Sequence, residues 1–184
     1  VQINEKVGMT FASGLRSILR QDPDIIAIGE IRDGETADIA MRSAITGHVV
    51  LSTLHTSDAL GTVERLIDMG VEPYLVASAL KGVFSQRLVR RICPNCSEPY
   101  SPSEEEQSEL GLAYDPGRVF YRGKGCPECF DTGYRGRTAV FEIFPLTIQV
   151  RRLIAKGAGR EALEGLLKDP AIGFVSLREN AIRL

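Results

Sequence analysis

Apolar positions along this chain keep one rhythm up to about residue 92 and another beyond it. In the first part, helical spacings alternate with short unbroken apolar runs. Phe11 to Arg20 reads as a helix that stops before Pro23, and Asp24 to Ile28 as a short, isoleucine-rich buried strand. Glu35 to Ile45 reads as a second helix and His48 to Leu54 as a second buried strand. Two more helices are expected, from about Ala59 to Met69 with Gly70 as the stop, and from Pro73 to about Arg91. Strand, helix, strand, helix with nearly continuous apolar strands predicts an α/β fold whose parallel sheet is covered on both faces. Residues 93–137 are dense in glycine and proline and read as a small separate module. Thr138 to Phe144 then reads as a strand returning to the main body, followed by small helices at Leu146 to Lys156, Arg160 to Leu167 and Leu177 onward. The expected division is 1–92, 93–137 and 138–184.

The module at 93–137 holds all four cysteines, as two matching pairs: Cys93-Pro94-Asn95-Cys96 and Cys126-Pro127-Glu128-Cys129. A Cys-x-x-Cys turn lets both sulfurs reach one metal at ~2.3 Å, so two turns complete a closed tetrahedral shell for structural zinc. The interval between the pairs exceeds the usual ribbon template. It holds its own helix signal, Ser101-Pro102-Ser103-Glu104, a capping box with proline at the first helical position, opening a short acidic helix through Leu110. Two disulfides are the competing reading and need an oxidising compartment. No leader-like start and no run of ~18 apolar residues argues for one, so the expectation is a soluble, intracellular chain. A four-cysteine site has no open coordination position, so the chemistry is sought elsewhere.

Composition narrows the picture little further. The 184 residues are 43% hydrophobic and 25% charged, enough for a real core, and the net charge of −2 gives no overall field toward nucleic acid or an acidic membrane surface. A first residue of valine, and an ending at Arg183-Leu184 in what reads as a helix start, are expected of a piece of a longer protein.

In an open parallel sheet, ligands bind outside the carboxyl ends of the strands. The first strand exits through Gly29 into Glu30, and an acidic residue in that position can hold magnesium or polarise an attacking water. The second exits at His55-Thr56, which puts Glu30 and His55 on one edge. The plainer alternatives are a solvated turn carboxylate, a structural histidine, and helix-start caps at Asp33 and Thr36. His48 and His55 stand seven residues apart, about 23 Å along an extended chain, so they cannot share one metal on a straight strand. His48 reads as part of the helix-to-strand turn.

The run from Gly14 through Asp22-Pro23-Asp24-Ile25-Ile26, with Gly29-Glu30-Ile31-Arg32-Asp33 after it, closely resembles the secretion ATPase superfamily. So does Thr46-Gly47-His48 through Ser52-Thr53-Leu54-His55-Thr56. With the four cysteines added, the similarity is to the type II secretion and type IV pilus assembly ATPase branch, including motors of mannose-sensitive haemagglutinin pili. The resemblance covers essentially the whole chain. It implies part of a RecA-like P-loop NTPase core, a metal-binding subdomain and a helical C-terminal subdomain. It also implies ATP hydrolysis with Mg2+, an atypical Walker B segment in which Glu30 polarises water or helps hold magnesium, and a histidine box in which His55 senses the γ-phosphate. Arg32 and Asp33 would orient Glu30, and Cys93, Cys96, Cys126 and Cys129 would hold Zn2+. The implied setting is a cytoplasmic, hexameric ring, peripheral at the bacterial inner membrane, that works with an inner-membrane platform and cytoplasmic recruitment proteins to drive pilin or pseudopilin subunits.

One family element is absent from these residues: no Gly-x-x-x-x-Gly-Lys-Ser/Thr occurs, so the chain alone is expected to hold half a nucleotide site and not to hydrolyse ATP. A different class remains open. Arg118, Phe120, Tyr121, Arg122, Lys124, Tyr134, Arg135 and Arg137, with Arg87, Arg90 and Arg91 before the first cysteine pair, form a basic stretch with interleaved aromatics, as a zinc-ribbon nucleic-acid binder would have. The favoured account is that these cations solvate the module and offset the charge of a zinc tetrathiolate, with no nucleic-acid partner. A non-catalytic docking module is the third option.

Overall fold

The computed structural model describes residues 2–184 apart from Glu5 and Val7. The elements are α1 (Phe11–Leu19), β1 (Ile25–Ile28), α2 (Gly34–Ile45), β2 (Val49–Ser52), α3 (Ala59–Asp68), α4 (Pro73–Ala79), β3 (Gly82–Ile92), β4 (Ser97–Tyr100), α5 (Glu104–Glu109), β5 (Phe120–Gly123), β6 (Tyr134–Pro145), α6 (Ile148–Ala155), α7 (Arg160–Leu167) and α8 (Leu177–Ile182). They form two compact units, one of residues 1–85 and 142–175, the other of 86–141 and 176–184.

The first unit is built on the parallel pair β1–β2, in register from Ile25 opposite Val49 to Ile28 opposite Ser52. Its helices start where short polar side chains satisfy the free N–H groups of the first turn. Thr10 caps α1, Asp33 caps α2, Asp58 caps α3 and Thr147 caps α6, while Pro73 opens α4 with its φ already set. Ile26 and Ile28 pack with Leu15, Ala37, Ala40, Met41, Leu66, Val76, Phe144 and Ile154 in one core. The expected cover on both faces of the sheet is not found. Alternation along a strand sends Ile25, Val49 and Leu51 to the opposite side, where they are 64%, 53% and 58% exposed, because the core lies on the side of Ile26 and Ile28.

The second unit contains the antiparallel pair β4–β5, with Ser97 opposite Gly123 and Tyr100 opposite Phe120. Helix α5 begins two residues later than expected: Ser103, not Ser101, is the cap, and its box partner is Glu106. The completely buried Gln107 decides the register. Its amide donates to the Pro102 carbonyl at 3.2 Å and to that of Asp115 at 3.1 Å, and its oxygen accepts from the Asp115 N–H at 2.9 Å. These bonds hold residue 102 outside the helix.

The largest departure is the predicted helix from Pro73 to Arg91. It ends at Ala79, and Gly82–Ile92 is a strand paired with β6. The spacing of Leu80, Val83, Phe84 and Leu88 suits a helix, but Gly82 breaks the run, and Val83, Val89 and Ile92 favour a strand once a partner strand is supplied from fifty residues downstream. The returning strand is also longer than expected, starting at Tyr134.

Candidate functional site

Strands β1 and β2 leave their sheet at the same edge, because parallel register puts Ile28 beside Ser52. Two bonds tie the exits together: the Ile31 N–H donates to the Thr53 carbonyl at 3.1 Å, and the Thr53 hydroxyl donates to the Gly29 carbonyl at 2.8 Å. Glu30 and His55 thus meet, His55 Nε2 donating to Glu30 Oε2 at 3.0 Å. The other carboxylate oxygen, Oε1, is paired with the Arg32 guanidinium. Arg32 first, and His55 more weakly, hold the Glu30 carboxyl below its ordinary range against some desolvation. Glu30 is therefore an ionised carboxylate with both oxygens engaged. The His55 side chain is 88% exposed and its ring stands at the open side of the pair.

Asp33 is bonded elsewhere. Its carboxylate accepts from the Thr36 N–H at 2.8 Å and the Thr36 hydroxyl at 2.9 Å, so it starts α2. His48 sits in the turn between α2 and β2, where Nδ1 lies 3.1 Å from the Ser43 carbonyl, an acceptor that fixes the proton on that nitrogen. Sequence reasoning missed a third group around the start of α3, made by Asp58, Glu142 and Arg160. Asp58 is legible as a cap, but nothing local in sequence signals partners about a hundred residues away.

The second unit gathers the four cysteines, whose sulfurs all lie within 4.8 Å of one another. Cys93 N–H donates to the Gly133 carbonyl at 2.9 Å and Lys124 N–H to the Cys96 carbonyl at 3.1 Å, which locks the two turns face to face. Glycine is required at this crossing, since a Cβ on Gly123 would stand 2.0 Å from the Gly133 carbonyl oxygen. All four cysteines are free thiols, which removes the two-disulfide reading for this structure. Sulfur separations of 3.9 Å (Cys93–Cys126), 3.8 Å (Cys96–Cys129) and 3.6 Å (Cys126–Cys129) match the edge of about 3.8 Å that a tetrahedron of ~2.3 Å metal–sulfur bonds requires. Burial pushes the Cys96 thiol up to about 12 and raises that of Cys126. At Cys129 burial is outweighed by N–H groups of Cys126 and Gly133, 3.2 and 3.3 Å from the sulfur, which hold it at about 6. The donor set fits a metal ion of tetrahedral preference.

Several cations of the basic stretch have partners inside the unit. Arg122 pairs with Glu98 at 3.1 Å and lies over the Tyr100 ring, Arg135 pairs with Glu128 at 3.2 Å, and Arg118 donates to Gln107 and to the Ala113 carbonyl at 2.9 Å. Arg90 covers the Tyr134 ring at 4.0 Å.

A mixed α/β unit with a carboxylate and a histidine at the carboxyl edge of its parallel strands is part of a RecA-like P-loop NTPase sheet, here joined to a small tetracysteine unit. Solved structures bear this out. The pilus retraction motor PilT with bound ADP superposes with a TM-score of 0.63 at 25% identity, over 95% of this chain and 39% of that one. The Legionella pneumophila ATPase DotB gives 0.58 at 24%, over 91% and 36%. The chain belongs to the type II/IV secretion system protein family, which matches residues 1–182. It is 50% identical over 163 residues to the type II secretion system ATPase E of Vibrio cholerae, covering 89% of this chain and 32% of that protein. It is 47% identical over 189 residues to the type IV pilus assembly ATPase PilB of Myxococcus xanthus, covering 100% and 32%. The chain thus spans about a third of the length of these relatives.

Among the described residues, no helix is long and apolar enough to cross a membrane.

Proposed function

We propose that this chain is the downstream part of a motor ATPase that couples ATP hydrolysis to pilus assembly or type II protein secretion. Family membership supports the class, and the 3.0 Å contact between Glu30 and His55 carries the assignment of the site. Glu30 is the carboxylate that polarises the attacking water or helps hold Mg2+. Arg32 keeps it ionised and aimed. His55 is the sensor of the γ-phosphate, its exposed ring standing beside Glu30 at the carboxyl edge of the two strands. Asp33 supports Glu30 indirectly, by starting α2 immediately after the loop, and His48 shapes the turn that feeds β2.

A tetracysteine site of this size fits Zn2+, held by Cys93, Cys96, Cys126 and Cys129 in a structural role. When bound, zinc cross-links the two cysteine turns and supplies folding energy, not chemistry. The chain divides functionally into a core portion at 1–92, a metal-binding subdomain at 93–137 and a C-terminal helical subdomain at 138–184. In the intact protein, ATP sits against a phosphate-binding loop that these residues lack, so the chain alone does not turn over. The working form is a homo-oligomeric, hexameric ring at the cytoplasmic face of the inner membrane, where movement of its subunits against a membrane platform expels pilin or pseudopilin. No nucleic acid is involved, in keeping with the internal partners of Arg118, Arg122 and Arg135.

The test is steady-state ATP hydrolysis with Mg2+ by the full-length protein beside its Glu30→Gln variant. The substitution keeps shape and removes charge, and the expected loss is roughly 100- to 10,000-fold in kcat with nucleotide binding retained. Equal turnover by the two proteins would rule out the assignment of Glu30.

A further inference from the structure

The cap of helix α3, Asp58, lies three residues beyond His55, and the first turn of the helix is gripped by side chains from two distant parts of the same unit. Asp58 Oδ1 accepts from the Gly61 N–H at 2.7 Å, as its cap role requires. Glu142, buried on β6, accepts from the Ala59 N–H at 2.9 Å. Arg160, the first residue of α7, then holds the cap from behind: Nη2 donates to Asp58 Oδ2 at 2.6 Å, Nη1 to Glu64 Oε2 at 3.0 Å and Nε to Glu164 Oε1 at 2.7 Å. The Thr56 hydroxyl closes the gap toward His55, donating to the Asp58 carbonyl at 3.0 Å and lying 3.1 Å from the Thr62 hydroxyl. A continuous chain of bonds therefore runs from α7 through Asp58 to Thr56, the neighbour of His55.

Stability alone is a poor reason for this arrangement. Arg160 and Asp58 are 37% and 28% exposed, and ion pairs in such positions add little to folding. Their geometry is more specific than their energy. All three nitrogens of one guanidinium donate, and the Asp58 carboxylate serves helix and cation together: Oδ1 caps α3 and also accepts from Arg160 Nη1 at 3.5 Å, while Oδ2 takes the shorter bond from Nη2. A point charge can supply the attraction but not the fork. Asp58 first, then Glu164, push the Arg160 pKa above its ordinary value, so the cation stays charged throughout the range in which proteins fold.

We propose that Arg160 is a positioning residue for the His55 segment: by gripping Asp58 it fixes the first turn of α3, and it makes α7 and residues 55–58 move as one piece. The proposal deepens the ATPase reading and rests on it for the role of His55. In that setting, a change at the γ-phosphate felt by His55 is delivered to the C-terminal helices through Arg160, and a load on those helices is delivered back to the sensor.

Two measurements test it, and they fail separately. Amide hydrogen exchange of the protein reads the mechanical claim without any catalysis. In Arg160→Ala, protection of the Gly61 and Ala59 amides falls about tenfold while α1 and α2 keep theirs, and Arg160→Lys recovers part of it. Unchanged protection at Gly61, or a loss spread evenly over α1 and α2, would overturn the proposal. In the full-length protein, Arg160→Ala lowers kcat for ATP roughly 3- to 30-fold with KM within about twofold, and Arg160→Lys, which supplies charge without the fork, restores less than half of the loss. An unchanged kcat, or kcat and KM spoiled together with a lowered melting temperature, overturns it too. Absence of hydrolysis in the unaltered full-length protein would count against the ATPase reading itself, and the exchange result would still decide whether Arg160 fixes the α3 turn.

Discussion

Removing the metal from the tetracysteine unit should cost a calculable share of its stability. Cys93 and Cys126 lie 33 positions apart in sequence, so a metal held by both turns closes a loop of that length in the unfolded chain. The loop-closure relation used for covalent cross-links gives about 12.5 cal/mol/K for such a loop, or about 3.7 kcal/mol at room temperature. The bonds to metal make that a lower bound, since structural zinc sites bind with an apparent free energy of about 10–16 kcal/mol at pH 7, the displaced thiol protons already counted. For a unit of this size, 1 kcal/mol shifts Tm by about 4–8 °C, so the expected fall on chelation is at least roughly 15–30 °C. The assay is thermal unfolding followed by circular dichroism, with the protein as purified, after a zinc chelator, and as Cys93→Ser. Metal content is read beside it by mass spectrometry. The expected result is one zinc per chain, lost in Cys93→Ser, with both perturbations lowering Tm by similar amounts. A Cys93→Ser protein that keeps one zinc and its Tm would refute the four-ligand site. A metal-free wild type that melts as high as the loaded form would refute the loop-closure argument.

Two further outcomes follow from the same geometry. Phe144 is fully buried in the core of the first unit, and Phe144→Ala should lower its unfolding free energy by about 3–5 kcal/mol in urea titration; a loss under about 1 kcal/mol would mean that the core collapses around the gap. Glu179 closes the capping box of α8, where the Ser176 N–H and then the Ser176 hydroxyl hold its pKa below the ordinary 4.5. A depressed carboxylate stabilises above its unfolded value and ceases to as pH falls through its folded one, so α8 amide shifts should change only below about pH 4.5 and should be flat in Glu179→Gln.

What the sequence could not show is concentrated where local pattern and distant partners disagree. The stretch after Ala79 has apolar spacing that suits a helix, and only the arrival of β6 makes it a strand. The two serines at 101 and 103 each have a glutamate three residues on, so both satisfy a capping box, and the choice falls to Gln107, whose bonds to Pro102 and Asp115 no spacing rule foresees. The grip of Arg160 on Asp58 spans 102 positions and belongs to the same class. Cover on both faces of the sheet was expected from near-continuous apolar strands, yet strand composition reports what a face prefers to touch, not what these residues supply.

What could be read was of the opposite kind, where a short motif fixes geometry almost by itself. Each Cys-x-x-Cys turn holds its two sulfurs close, and only the pairing of the turns needed the fold. The Glu30–His55 contact is the more instructive case, because neither residue is distinctive alone and they lie 25 positions apart. Their meeting follows from one physical step. Two adjacent parallel strands of four residues each, in register from Ile25–Val49 to Ile28–Ser52, must release the chain at the same edge. Residues two and three positions past the ends then face each other across about 5 Å, the ordinary spacing of paired strands. Side chains as long as glutamate and histidine close that gap without strain, whereas an antiparallel pair with the same strands would carry them to opposite ends of the sheet. The strand order inferred from apolar runs thus already contained this contact, and shifting β2 by two residues relative to β1 would move His55 by about 7 Å and undo it.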